Sequence, residues 1–369
     1  MINFNNRLKS LKDRRQGVDV RAAFESKSID NIHFDLREKE QYELLKESVS
    51  IKYIIGAMAP VEQKSTEISI REGERVANSL IKSLRNYGIN TTSRLQGSVA
   101  LDIHIKHHSD VDMLIIETNT IQTEKPNLNP ALYSPATDKR SMVEIIKDLR
   151  KKSEEILPKN FPETNIKLSG NKSIALDGGS LKRKIDIVPA SWFDTHSYQK
   201  SRNESDRGIK IYHKGNHELI LNLPFTHIKL ISDRDVRYFG NLKNSIRLMK
   251  NMIADMPEYK KNKVKKLSSY DLASIAYHMD NMLNIAYEFR LGLVEKIREH
   301  LHKILNDFNY RNSLYVPDKS RKIFDNDEKI DALKILEKEF TDLAEAVFKD
   351  LYPYMPTYNA NLVLTKKVA

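Results

Sequence analysis

The chain has 369 residues, of which 40% are hydrophobic and 30% charged, with a formal net charge of +11. This composition excludes a wholly disordered protein, and the length favours two cores over one. The lack of any cysteine excludes a disulfide scaffold or thiolate metal site, while the basic balance points to polyanionic partners: nucleotides, nucleic acid or an anionic surface.

The start, MINFNNRLKSLKDRR, has no apolar stretch of the kind that leads secretion, and no run of roughly 18 apolar residues follows. A cytoplasmic protein without a membrane partner is therefore expected. Residues 62–87 carry Ile68, Ile70, Val76, Ala77, Leu80, Ile81 and Leu84 at helical spacing, which predicts a long amphipathic helix stopped at Gly88. The period then changes, predicting strands at 93–95 and 111–116 with a Gly-Ser pair and a polar turn between them. Residues 118–140, rich in Asn, Thr and Pro, predict an insertion with little regular structure, and helical spacing returns over 142–157. Strands are expected at 165–168, 173–176 and 184–188, the last two joined through DGGS, where glycines supply positive φ for a hairpin.

Beyond about residue 220 only helical spacing is found: 223–231, 236–256, 270–283, 285–308 and 327–351. KKNKVKK at 260–266 reads as a solvated link, with phosphate or nucleic-acid contact as the other reading. The expected architecture is an α/β core with a mixed β-sheet over 1–222, including the long helix near its N-terminus. An all-helical lobe follows over 223–369.

The candidate chemistry lies in LQGSVALDIHIKHHSDVDMLIIE, residues 95–117. Alternate residues of a strand share a face, so Asp110 and Asp112 project together while Val111 and Met113 turn away. Carboxylates beside an apolar run are costly unless compensated, and hard oxygen ligands suit Mg²⁺ or Mn²⁺. The pairs Asp233/Asp235 and Asp325/Asp327 sit in charged helix flanks and read as caps.

A third carboxylate is Asp186 in KIDIVPA, with Ile185 and Ile187 on the opposite face; its other reading is a strand-edge acid paired with Arg183 or Lys184. Gly97 lets backbone approach a phosphate closely and Ser98 donates to it, whereas Gly179/Ser180 belong to the hairpin turn. No P-loop or GxGxxG fingerprint is present. His104, His107 and His108 read as exposed loop histidines near phosphates, with metal ligation the alternative, and Trp192 as a packing residue.

Gly97-Ser98, eleven further residues, Asp110-x-Asp112 and the hairpin-borne Asp186 resemble the polymerase-β-type nucleotidyltransferase superfamily. In the helical half, NLKNSIRLMKNM and KKLSSYDLASIAYHM are similar to cyclic GMP-AMP synthase and its bacterial relatives, the cGAS/DncV-like nucleotidyltransferases (CD-NTases) of antiphage CBASS systems. The likeness runs from about residue 60 to 285. It implies a polymerase-β-like core whose Asp110, Asp112 and Asp186 are catalytic and bind two Mg²⁺ or Mn²⁺ ions. It also implies that Gly97, Ser98, Lys250 and Ser269 hold the donor triphosphate in a cleft between the lobes, with Tyr270 stacked on a base.

The implied reaction joins NTPs, with ATP first and GTP or pyrimidine NTPs as further candidates, into a cyclic di- or trinucleotide with release of pyrophosphate. The implied partners are a downstream effector reached through the product and a regulatory protein or nucleic-acid activator. Two alternatives stand beside this reading. One is an enzyme that modifies RNA or makes linear oligonucleotides; the other is a catalytically silent nucleic-acid-binding homologue, which the basic charge suits. Taken without the motifs, Lys250 reads as a solvated helix residue and Tyr270 as core.

Overall fold

The computed structural model describes residues 2–16, 39–106 and 109–368. The described residues gather into two compact units.

The unit comprising Glu62–His104 and Ser109–Ser232 is built on a seven-stranded sheet. Its strands are β1 (Thr91–Gln96), β2 (Val111–Thr123), β3 (Asn165–Lys167), β4 (Ile174–Asp177), β5 (Ile185–Asp194), β6 (Gly208–His213) and β7 (Glu218–Asn222). They run in the order β1-β2-β5-β4-β3, with β6 on β5 and β7 on β6. β2 and β5 are parallel, and every other pairing is antiparallel. This is the expected α/β core with a mixed sheet.

The two central strands explain themselves by alternation. Val111, Met113 and Ile115 of β2 join Ile185 and Ile187 of β5 in one apolar cluster, packed with residues of helices Gln63–Arg85 and Met142–Asn160. Leu114 and Ile116 join Val188, Ala190, Trp192, Ile209 and Ile211 on the other face. Both faces are buried, which is the normal state of parallel strands, and each buried aliphatic side chain contributes about 1.5 to 3 kcal/mol. Trp192 is a packing residue as expected, with the Arg207 guanidinium 4.1 Å from its ring centroid. The 63–85 helix meets the first face so closely that a Cβ on Gly73 would lie 2.8 Å from Val111 Cγ1.

Several expectations are corrected. The unstructured insertion begins later than 118, because β2 continues to Thr123 past an irregularity between Glu117 and Gln122. Hairpin β6–β7 stands where no strand was expected. Its strands are short, Lys210 interrupts the first, Glu218 opens the second and Leu221 is 45% exposed, so they give a weak apolar signal.

The other unit holds the described residues within Met1–Val61, Ile105–His108 and Asp233–Ala369. A single cut at 222 assigns the first of these segments to the core, whereas here it groups with the C-terminal helices. Helix Val49–Met58 is buried on nearly every side. Its last carbonyls, which no intrahelical amide can reach, are taken by helix Asn241–Ala254: Asn251 Nδ2 donates to Ala57 O (2.9 Å) and Arg247 Nε to Met58 O (2.7 Å).

The continuous helix expected over 236–256 is interrupted at Gly240, whose φ of +85° ends helix Pro224–Arg237 and starts the next. Asp235 caps that restart, its Oδ1 accepting from Lys243 N (2.8 Å). The segments 270–283 and 285–308 likewise divide into helices Ser269–Tyr277 and Leu293–Asn306 with 3-10 turns between. KKNKVKK is not a free link: most of it lies in helix Glu258–Val264, pinned by fully buried Val264 and by Lys260 donating to Glu339 (2.6 Å). No helix of the described residues is long and apolar enough to cross a membrane.

Candidate active site

The parallel pairing of β2 and β5 sets Asp112 opposite Asp186. By alternation both carboxylates take the face of Leu114 and Val188, away from the 63–85 and 142–160 helices. Asp110 and Lys184 each stand one residue before their strand, and Val111 N donates to Lys184 O (3.0 Å), which fixes them side by side. The Lys184 ammonium bonds Asp110 Oδ2. Burial works against the charge on Lys184, yet the bond to Asp110 and the neighbouring carboxylates raise its pKa.

Asp186 accepts from Ser173 Oγ on Oδ2 (3.3 Å), while its Oδ1 is buried and receives no hydrogen bond. Burial, followed by the charge of Asp110, pushes this carboxyl above the ordinary aspartate value. The alternative pairing of Asp186 with Arg183 or Lys184 is not found. Arg183 donates to Ser69 Oγ (3.2 Å) and Ser65 Oγ (3.0 Å), and the Lys184 ammonium goes to Asp110.

The Gly-Ser turn meets this pair from β1, which ends at Gln96 opposite Asp112. Gly97 has φ +74°, and a Cβ there would lie 2.2 Å from Asp112 Oδ2, so only glycine fits. A single helical turn, Gly97–Ala100, follows; Ser98 O accepts from Ile103 N (3.0 Å), and Ser98 keeps partial solvent exposure. His104 is not an exposed loop residue: it is 4% exposed, with its Nε2 3.3 Å from Thr66 Oγ1. His107 and His108 lie outside the described residues.

The donors gathered here are oxygens, and one buried carboxylate oxygen lacks a partner, which fits a hard divalent cation. Among the described residues no three acidic or histidine side chains already close into a metal cage. The Lys184 ammonium instead holds Asp110.

Lys250, Ser269 and Tyr270 belong to the helical unit. Lys250 lies in helix Asn241–Ala254 and is 7% exposed, so it is not a solvated lysine. Ser269 is exposed at the first position of its helix. The cap is its neighbour Ser268, whose Oγ accepts from Asp271 N (3.2 Å) and donates to Asp271 Oδ2 (2.7 Å), an S-x-x-D box legible in the sequence but not read there.

Tyr270 is half-buried rather than core, and its hydroxyl donates to Asp318. Burial and the Asp318 carboxylate hold that hydroxyl in its neutral form. The Arg321 guanidinium lies 5.8 Å from the Tyr270 ring and pairs with Asp271 (2.7 Å). Asp318 and Arg321 lie between the helices expected over 285–308 and 327–351, where the sequence reading assigns no element.

Residues 231–348 match the family model of the cGAS/DncV-like nucleotidyltransferase C-terminal helical domain. Over 350 residues the chain is 36% identical to the cyclic dinucleotide synthase CdnE of Yersinia aleksiciae, covering 90% of this chain and 89% of that one. Two solved STING-associated CdnE c-di-GMP synthases share the fold. The structure from Capnocytophaga granulosa gives a TM-score of 0.70 at 26% identity, over 96% of this chain and 100% of that chain. The structure from Flavobacteriaceae sp. gives 0.73 at 22% identity, over 95% and 99%. Motifs, mixed sheet and helical unit agree with these matches, and the chain belongs to the cGAS/DncV-like nucleotidyltransferase family.

Proposed function

We propose that this nucleotidyltransferase joins two NTPs into a cyclic dinucleotide, releasing pyrophosphate as each phosphodiester forms. The observation that carries the reading is the alignment of Asp112 with Asp186 against Gly97, in a chain similar over nine-tenths of its length to a cyclic dinucleotide synthase. A catalytically silent homologue has no physical reason to keep three carboxylates converging on one face of the sheet.

Asp110, Asp112 and Asp186 would hold Mg²⁺ or Mn²⁺, two ions in the full site. Bound there, the metal neutralises the triphosphate and eases ionisation of the attacking hydroxyl. Gly97 lets the turn pack against the Asp112 carboxylate, which brings the backbone and the Ser98 hydroxyl close enough to donate to a phosphate held there. Asp186 Oδ1 is the acceptor left over for an incoming cation or proton. Lys250 and Ser269 hold the donor triphosphate, one as a point charge and the other as a hydroxyl donor. Tyr270 offers a base its ring face, with the ring's tilt set by Asp318 and Arg321.

ATP and GTP are the substrates to try first: ATP by family resemblance, GTP because a relative of 26% identity is a c-di-GMP synthase. The product would act on a downstream effector in antiviral defence inside the cell, with a regulatory protein or nucleic acid as activator. Pyrophosphate release from ATP and GTP with Mg²⁺, abolished by EDTA and by Asp112→Asn, is the expected result. Release that survives both treatments contradicts the reading.

A further inference from the structure

We propose that Lys184 is the resident counter-cation of the acidic cluster, which a divalent metal must displace from Asp110. The protein alone then takes up metal weakly, and nucleotide and metal strengthen one another's binding. This rests on the metal-binding reading of Asp110, Asp112 and Asp186.

The placement is fixed by the backbone and does not depend on a chance surface encounter. Lys184 and Asp110 precede two parallel strands by one residue each and are tied by the Val111 N to Lys184 O bond (3.0 Å). Two residues further along, Asp112 stands opposite Asp186, so alternation directs Lys184 and the three carboxylates to the same face. The ammonium bonds Asp110 Oδ2, with side chains 39% and 34% exposed for Lys184 and Asp110.

A lysine ammonium and a divalent cation seek the same carboxylate oxygens, and one excludes the other from Asp110 Oδ2. An ammonium freed from Asp110 remains a mobile point charge on a four-carbon stem, suited to a phosphate oxygen. A triphosphate therefore draws the lysine away and opens Asp110 to the metal. By linkage, metal and nucleotide raise each other's affinity by one common factor.

The test measures Mn²⁺ binding to the full chain by electron paramagnetic resonance, without nucleotide and with a nonhydrolysable ATP analogue. Without nucleotide, Lys184→Met and Lys184→Gln should bind Mn²⁺ roughly five- to tenfold more tightly than wild type. The enhancement by the analogue should shrink by a similar factor, while Lys184→Arg, which keeps the charge, should behave like wild type. Asp186→Asn should lose most binding in every condition. Equal Mn²⁺ affinity in wild type and both neutral variants overturns the proposal, leaving Lys184 as a pin between strand ends. Binding insensitive to Asp186→Asn, or absent from all forms, overturns the metal reading and this proposal with it.

Discussion

A Cβ on Gly97 would fall 2.2 Å from Oδ2 of Asp112, so the turn after β1 and the carboxylate of β2 are packed backbone against side chain. Gly88 supplies a matched control: its φ of +73° equals that of Gly97 within a degree, yet nothing lies within 4 Å of a Cβ placed there. Both alanine variants incur about 1 to 2 kcal/mol for a left-handed backbone. Gly97→Ala must also push Asp112 out of register. We expect Gly88→Ala to lose stability in urea unfolding with turnover near wild type, and Gly97→Ala to lose turnover by roughly 100-fold or more.

The alignment of Asp112 with Asp186 predicts a second pattern. Asp112→Asn and Asp186→Asn should each lower pyrophosphate release by roughly 10³-fold, while thermal unfolding in EDTA stays unchanged or moves up. The gain, where seen, reflects relief of repulsion in the metal-free site. A large drop in melting temperature for both variants would make these carboxylates structural.

The raised pKa of Asp186 gives a pH dependence with a definite sign. Burial and the charge of Asp110 make the folded protein bind this proton more tightly than the unfolded chain does. The contribution to stability is therefore complete below the ordinary value of 3.8 and is lost as pH rises through the raised folded value. In EDTA, Asp186→Asn should match wild type near pH 4 and become progressively more stable than wild type towards pH 7. A pH-independent difference between the two proteins would show that Asp186 does not titrate with folding.

Lys250 and the lysines of 260–266 separate a mononucleotide site from a polymer site. Lys250→Ala should raise the apparent KM for NTP by an amount equivalent to about 1 to 3 kcal/mol. Lys260→Ala should leave KM alone and cost stability, because among the described residues Glu339 then keeps Arg7 (2.9 Å) alone as an ion-pair partner. Turnover should depend shallowly on salt. A steep salt slope carried by the lysine-rich helix, with Lys250→Ala near wild type, would favour an RNA substrate.

What was legible in the sequence is what local pattern encodes. β2 and β5 announce themselves because Asp112 and Asp186 interrupt apolar runs at a period of two, and the 63–85 helix because its apolar face repeats at helical spacing and stops at Gly88. The pairing of Asp112 with Asp186 and the bond from Lys184 to Asp110 depend on which residues of two distant strands share a level. That register is set by packing both strand faces, which no window of sequence contains.

Helix Val49–Met58 was missed for the opposite reason: it is apolar almost all round, so it shows no amphipathic period. The lysine-rich helix was misread because Val264 is its one buried anchor. The Ser268 cap is a separate feature, set by its pairing with Asp271 three residues on.

The most direct measurement incubates wild type and the Asp112→Asn/Asp186→Asn double variant with labelled ATP and GTP and Mg²⁺, then treats the products with phosphatase. The account predicts a phosphatase-resistant product of two nucleotides from wild type, with pyrophosphate in matching amount, and neither from the double variant. A product that keeps elongating and leaves ends open to phosphatase, or pyrophosphate release by the double variant, would contradict it.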